Sequence, residues 1–295
     1  MSSRRLAEAP AEGQPAPTTV PAALLPERVP LVRNHLKITV MGNSTAIWVA
    51  PERADRGDGN YGEWLEALLP QRGLPVSLIN LAAWNELLPK AVCRVGSAVR
   101  AVMPDVVILQ YGIIEAFPAY VPVALHNYLR SWHVHAGFGR TFFRHQVRKL
   151  IWKRARSFQR RGAARFGPRT HHVGPARFAS ELKKLMYDIH LDQQALIVVC
   201  GVARPSASLR AAIPGIEHRV DLYNNLLRQA CADATKGAAC FIDLHAVLPD
   251  EPSYVPDGLH ISPQGHRLVG LAIADRIEQW ARDASGCVYQ ASGLT

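Results

Sequence analysis

The nine residues from Leu36 to Ser44, LKITVMGNS, form an apolar run that ends in a Gly-Asn-Ser turn. Such a run predicts a buried strand, and the turn places a serine hydroxyl directly after it. More than two hundred residues later, the segment DGLH, from Asp257 to His260, holds a carboxylate and an imidazole three residues apart. These are the groups that activate a serine hydroxyl for nucleophilic attack. The two segments together predict serine-dependent hydrolysis or acyl transfer.

Outward from this first strand, apolar β-branched runs alternate with stretches of helical periodicity. This alternation predicts an α/β protein with a parallel sheet covered by helices on both faces. Ligands of such sheets bind beyond the carboxyl ends of the strands, where both Ser44 and Glu115 fall. The predicted strands are Lys37–Met41, Val76–Leu81, Asp105–Gln110, Ala195–Cys200 and Ala239–Leu244. The predicted helices lie at about Gly62–Leu69, Lys90–Val102, Pro175–His190, Glu217–Thr235 and Pro263–Arg282.

The composition limits where the chain acts and how many domains it forms. At 295 residues and 48% apolar content, the chain can bury one substantial core with an insertion. No run approaches the roughly 20 apolar residues of a membrane-spanning helix. Residues 1–34 are rich in Pro and Ala and are expected to be disordered. They lack the apolar stretch of a signal peptide. Five cysteines, an odd number without CxxC spacing, predict reduced thiols and a cytoplasmic location. The expected main domain spans residues 35–285, and a tail follows at 286–295.

A basic block interrupts the alternation after the third strand, at about residues 116–174. Between Ala116 and Ser180 the chain has thirteen Arg or Lys residues and no Asp or Glu. The middle of the block predicts a basic amphipathic helix, which could lie on an anionic membrane surface, bind an acidic protein or pack on the core. An anionic partner is the favoured interpretation, because ordinary surfaces mix charges of both signs. Nucleic acid is disfavoured, since no nucleic-acid-binding motif accompanies the charge.

Several motifs together resemble the SGNH hydrolases, also called GDSL esterases and lipases. The residues from Gly42 to Ser44 match the family's Gly-Asp-Ser block, with asparagine in place of aspartate, and those from Asp257 to His260 match its Asp-x-x-His block. The resemblance extends from about Leu36 to Arg282 without the basic insertion. It implies a three-layer α/β/α sandwich with a flavodoxin-like five-stranded parallel sheet.

The resemblance also implies a role for each matching residue. Ser44 would be the nucleophile, His260 its base, and Asp257 the carboxylate that orients the imidazole. The oxyanion hole would use the backbone N–H of Ser44 and, after the second strand, that of Asn85, where the family has glycine. Asparagine tolerates the left-handed backbone that this position needs. Neither a cofactor nor a metal is expected.

One motif departs from the family. The block Gly-x-Asn-Asp should follow the third strand, and the chain has Gly112, Ile113, Ile114 and Glu115 there. Ile114 stands where an asparagine side chain would donate to the oxyanion, and the loss of one such donor typically costs about 2.7–4 kcal/mol. Another group could replace the donor, the substrate could be an activated ester or thioester, or the domain could bind without hydrolysis. Gly112 and Glu115 are predicted to border the substrate, with Glu115 anchoring the loop or a substrate group.

The sequence thus favours a serine hydrolase or acyltransferase that acts on a small or carrier-bound acyl ester. The alternative is a catalytically silent protein of the same fold that binds an anionic partner through its basic insertion.

Overall fold

The computed structural model describes residues 35–47, 59–118, 150, 154, 157, 171–193, 195–234, 238–249, 253–255 and 258–291. Within these ranges, five parallel strands form a single sheet in the order β2-β1-β3-β4-β5. This is the flavodoxin-like order that was predicted, and all five predicted strands are present. The strands are β1 (Leu36–Gly42), β2 (Val76–Asn80), β3 (Val106–Gln110), β4 (Leu196–Cys200) and β5 (Ala239–Ile242).

Helices cover both faces of the sheet, and the five predicted helices are all found. The sequence did not predict three short helices, α3, α5 and α7, which have too few residues for a periodic pattern. The helices are α1 (Tyr61–Gln71), α2 (Leu88–Val102), α3 (Ile113–Ala116), α4 (Pro175–Gln193), α5 (Ala207–Ala212), α6 (Ile216–Asp233), α7 (Leu244–Val247) and α8 (Pro263–Ala291).

Two hydrophobic clusters fill the space between the helices and the sheet, one on each face. Helices α2, α4 and α6 pack against strand residues such as Met41 and Leu109, whereas α1 and α8 pack against Val40 and Ile108. Successive strand residues point to opposite faces, so neighbours such as Val40 and Met41 enter different clusters. The result is the predicted three-layer α/β/α sandwich.

The last helix is longer than predicted. Helix α8 was expected to end at about Arg282, and it continues to Ala291, so the first part of the predicted tail is helical. The sequence after Arg282 contains Gly286 but no proline, and a glycine alone weakens a helix by only about 1 kcal/mol.

The predicted amphipathic helix of the basic insertion lies almost entirely outside the described residues. Leu150, Arg154 and Ser157 are described there, and all three are helical and exposed. The two ends of the insertion are joined by an antiparallel bridge between Pro118 and His171.

Candidate active site

The turn after β1 positions the side chain of Ser44. A Cβ on Gly42 would come within 3.0 Å of both the Ala46 Cβ and the Gln110 carbonyl oxygen, so the close approach of β3 requires glycine here. Asn43 then caps a short 3₁₀ turn, Ser44–Ala46, by accepting hydrogen bonds through Oδ1 from the Thr45 N–H (3.1 Å) and hydroxyl (2.7 Å). Ser44 is held in this turn with 8% of its surface exposed.

The imidazole of His260, which lies 216 residues later in the sequence, contacts the Ser44 hydroxyl. Its Nε2 lies 2.9 Å from the Ser44 Oγ, which is hydrogen-bonding distance. The loop that carries His260 is folded on itself, because the Val255 N–H donates to the His260 carbonyl (3.0 Å) and the Gly258 N–H to the Val255 carbonyl (2.9 Å). Serine and imidazole therefore face each other in a geometry suited to proton transfer.

The third predicted member of this constellation, Asp257, lies outside the described residues. Its neighbour Gly258 is described, with a left-handed φ of 70°. The Gly258 carbonyl accepts a hydrogen bond from the Ser206 N–H at 3.1 Å, which ties the histidine loop to the loop after β4.

His266, at the start of α8, has a structural role. It is fully buried, and its Nδ1 accepts a hydrogen bond from the Tyr61 N–H at 3.3 Å. This contact joins the first turns of α1 and α8.

The loop after β2 runs beside the serine turn and is fixed by main-chain hydrogen bonds. The Leu81 N–H donates to the Val40 carbonyl (2.8 Å), and the Ala83 N–H donates to the Gly42 carbonyl (2.9 Å). Two residues later, Asn85 has the left-handed φ of 53°, a conformation that asparagine adopts more readily than most residues. Among the described residues, none accepts a hydrogen bond from the N–H of Ser44 or of Asn85.

Glu86, a buried carboxylate that sequence reasoning missed, stabilises this loop. Glu86 is fully buried, and its Oε2 accepts hydrogen bonds from the Arg94 guanidinium (2.7 Å) and the Tyr111 hydroxyl (2.9 Å). Burial, together with the Glu86 carboxylate, raises the pKa of Tyr111, so its hydroxyl stays protonated as a donor. The Arg94 guanidinium also donates to the Leu81 carbonyl at 2.6 Å. No local motif marks these residues, because the contacts join three separate elements.

The loop after β3 is held by Glu115. This residue is fully buried, and its two carboxylate oxygens accept hydrogen bonds from the Leu88 N–H (2.8 Å) and the Gly112 N–H (3.0 Å). Burial raises the pKa of Glu115, and the N–H donors oppose that shift. With both oxygens engaged, the structure supports the loop-anchoring alternative for Glu115. Gly112 has φ 115°, and a Cβ there would lie 2.8 Å from the Val202 side chain.

Between Gly112 and Glu115 stand two isoleucines. Ile114 is partly buried and packs against the hydrophobic cluster on the α2 side of the sheet. Ile113 is 7% exposed and borders a small cleft beside the serine turn. Neither side chain has a hydrogen-bond donor, so the departure from the family's block has no compensation within these two residues.

Beyond this loop, residues of α6 contact the two ends of the insertion. Arg219 is buried and donates to the Ala116 carbonyl (2.6 Å) and to His171 Nδ1 (2.9 Å), while the Tyr223 hydroxyl donates to the Val173 carbonyl. Burial and the Arg219 charge lower the pKa of His171, which keeps its ring neutral and able to accept.

The described part of the chain has neither a candidate metal site nor a candidate membrane-spanning helix. No group of three or more His, Cys, Asp or Glu side chains there is arranged to hold a metal ion. Likewise, none of the described helices combines the length and the apolar character needed to cross a membrane.

Comparisons with known proteins identify the fold and the family of this chain. Structures with the same fold include the lipase/acylhydrolase from Enterococcus faecalis (16% identity, TM-score 0.54, 83% of this chain and 96% of that chain) and TesA (11%, 0.53, 83% and 99%). A further one is a catalytic mutant of Axe2, an acetylxylan esterase from Geobacillus stearothermophilus (15%, 0.51, 82% and 94%). No match was found among curated proteins. The family model for the GDSL-like lipase/acylhydrolase family matches residues 40–268, most of the chain. The chain therefore belongs to the GDSL-like lipase/acylhydrolase family, the SGNH hydrolases.

Proposed function

We propose that this chain is a serine hydrolase that cleaves, or transfers, an acyl group from an ester or thioester through an acyl-enzyme at Ser44. The observation that carries the proposal is the 2.9 Å separation between the Ser44 Oγ and the His260 Nε2. Membership in a family of lipases and acylhydrolases supports the same reaction class.

In the proposed mechanism, the Ser44 hydroxyl donates its proton to the His260 Nε2 as the oxygen attacks the carbonyl carbon. The imidazolium then returns the proton to the leaving alcohol or thiol. Water, or another acceptor, next attacks the acyl-enzyme with the same imidazole as base. Asp257 is proposed to accept the His260 Nδ1–H and so to hold the reactive tautomer.

The oxyanion is proposed to bind the main-chain N–H groups of Ser44 and Asn85. Support comes from the left-handed backbone at Asn85 and from the rigid loop that the Ala83 to Gly42 hydrogen bond holds beside the serine turn. Gly112 is proposed to border the substrate through its backbone. Glu115 acts on the substrate only indirectly, by fixing that loop.

The direct test is labelling with a fluorophosphonate probe, which phosphonylates activated serines. Wild type, Ser44→Ala and His260→Ala are treated and the adduct is located by peptide mass spectrometry, with Ser180→Ala on α4 as a control. We expect an adduct on Ser44 in wild type and in Ser180→Ala, and none in the other two. An adduct elsewhere, or none in folded wild type, contradicts the proposed mechanism.

A second candidate function is a catalytically silent domain that binds an anionic partner, an acidic protein or a membrane surface, through the basic insertion. Ile114 favours this candidate, because an oxyanion hole with one donor fewer weakens catalysis. The absence of Ser44 labelling, combined with sedimentation onto anionic but not neutral vesicles or with binding to an acidic carrier protein, would favour it.

A cytoplasmic site of action is part of the proposal. All four described cysteines are free thiols. Burial raises the pKa of Cys200, and partial burial raises the pKa values of Cys231 and Cys240. Protonated, shielded thiols suit a reducing compartment.

A further inference from the structure

A small cleft lies directly beside the proposed nucleophile and base. Its walls include Thr45, which follows Ser44, and Leu259 and Ile261, which flank His260. Gln110, at the end of β3, also lines it, together with Tyr111 and Ile113. We call this space the Gln110 cleft. Its free interior is about 10 Å³, room for one group of the size of a water molecule.

The polar side chains of the cleft include one buried, unpaired acceptor. Of its three polar side chains, Thr45 donates its hydroxyl to Asn43 at 2.7 Å, and Tyr111 donates its hydroxyl to Glu86 at 2.9 Å. The third, Gln110, is 5% exposed, and its amide oxygen has no hydrogen-bond partner among the described residues. An unpaired buried acceptor is costly, and among the unpaired buried side-chain atoms of the described residues only this one belongs to the lining of the cleft, so a ligand group that enters the cleft can pair with it.

The sheet order relates the cleft to the reacting carbonyl. Strand β1, which leads to Ser44, lies between β2 and β3. The proposed oxyanion donor Asn85 follows β2, whereas the cleft lies at the ends of β3 and β4. A carbonyl attacked by Ser44 with its oxygen toward Asn85 therefore turns one of its two other substituents toward the cleft.

We infer that the Gln110 cleft is a specificity subsite for a hydroxyl group on the substrate, near the scissile bond, and that the Gln110 amide oxygen accepts the hydrogen bond of that hydroxyl. This inference rests on the proposed function and narrows it to hydroxylated esters. A hydroxyl matches the size of the cleft, supplies the missing donor and leaves the adjoining carbon on the apolar walls of Ile113, Leu259 and Ile261. The hydroxyl can belong to the acyl group or to the alcohol, as in a polyol or sugar ester.

Two matched substrate pairs distinguish these sources. On the acyl side, p-nitrophenyl β-hydroxybutyrate is compared with p-nitrophenyl butyrate. On the alcohol side, hydroxyethyl acetate is compared with ethyl acetate. We expect wild type to favour the hydroxylated member of one pair by about tenfold in kcat/KM, the ratio that one neutral hydrogen bond to a buried acceptor supports.

The variant Gln110→Met removes the acceptor and keeps the length of the side chain, so the ratio should fall to about one. Gln279→Met on the exposed face of α8 is the matched control and should keep the wild-type ratio. If Gln110→Met does not fold, Gln110→Leu takes its place. A wild-type ratio near one in both pairs, or a preference that survives loss of the Gln110 amide, overturns the inference.

Failure of the proposed function is recognised separately, because no ester of either pair is then hydrolysed. The subsite is in that case judged by binding, with saturation-transfer NMR of β-hydroxybutyrate against butyrate and of ethylene glycol against ethanol. A preference for the hydroxylated compound that Gln110→Met abolishes supports the subsite, and equal binding in both pairs overturns it.

Discussion

The loop after β1 and the loop after β3 follow neighbouring strands, and each holds a buried polar side chain at the same edge of the sheet. Ser44 in the first is 8% exposed and Glu115 in the second is fully buried. The difference lies in their partners, since the serine oxygen meets the imidazole of His260 and the carboxylate meets two main-chain N–H groups. A side chain satisfied by the backbone supports the fold, whereas one paired with a titratable group from another loop is available for chemistry. Substitutions in the two loops should therefore separate activity from stability.

The largest expected effect is on activity, at the first loop. Ser44→Ala and His260→Ala should each lower kcat/KM for p-nitrophenyl esters by about 10⁴-fold or more, because each removes a group needed for the covalent step. The free energy of unfolding should change by less than about 1 kcal/mol. Ser180→Ala and His218→Ala, at exposed helix positions, serve as controls. Activity that persists in either site variant would refute the assignment.

The second effect is on stability, at the loop after β3. Glu115→Ala leaves the N–H groups of Leu88 and Gly112 buried and unpaired, so the free energy of unfolding should fall by about 2–5 kcal/mol. Urea unfolding followed by circular dichroism measures the change. Glu217→Ala, which removes an exposed carboxylate, should remain within about 0.5 kcal/mol of wild type. Similar losses in both variants would mean that Glu115 does not anchor the loop.

A third test restores the donor that the loop after β3 lacks. Ile114→Asn should raise kcat for p-nitrophenyl esters by about 10–100-fold, somewhat less than the loss seen when an oxyanion donor is removed. Ile114→Leu, which changes the packing without adding a donor, should produce no gain. If neither variant gains activity, the wild-type oxyanion hole does not depend on this position.

A smaller effect is expected at Asn85. A left-handed backbone costs an ordinary residue about 1–2 kcal/mol, and glycine is free of that cost. Asn85→Ala should therefore lower the melting temperature, and Asn85→Gly should not, although both remove the same side chain. Equal melting temperatures would show that the left-handed conformation is not required in solution.

The smallest effect concerns pH. Burial raises the folded-state pKa of Glu115 above the ordinary 4.5, so the folded protein holds this proton more tightly than the unfolded chain. The contribution to stability is then present below the unfolded pKa and is lost as pH rises through the folded pKa. Relative to Glu115→Gln, wild type should lose free energy of unfolding as pH rises from about 4.5. A difference that stays constant with pH would contradict the raised pKa.

The sequence predicted most of the sheet and both ends of the candidate site, because these depend on local patterns. The apolar run before Ser44, the spacing of the segment that ends at His260 and the backbone tolerance of Asn85 are all readable within a few residues. The contacts that organise the loops are not local. Glu115 holds the first N–H of α2, 27 residues away, and Glu86 meets Tyr111 across 25 residues. The sequence also could not show that the amide oxygen of Gln110 is unpaired, because this depends on the register of β3 against β1, which pairs Gln110 with Gly42.

Ser44 and His260 are 216 residues apart in the sequence, and this separation has a consequence for the synthesis of the protein. A chain that has left the ribosome only as far as Val247 already contains all five strands of the described sheet, and it has the proposed nucleophile without its proposed base. The proposed chemistry begins only when the last loop and α8 are in place, so catalytic competence reports that folding is complete. With the proposed roles of Ser44 and His260, incomplete chains, whether stalled or cut, would hold a serine without its base.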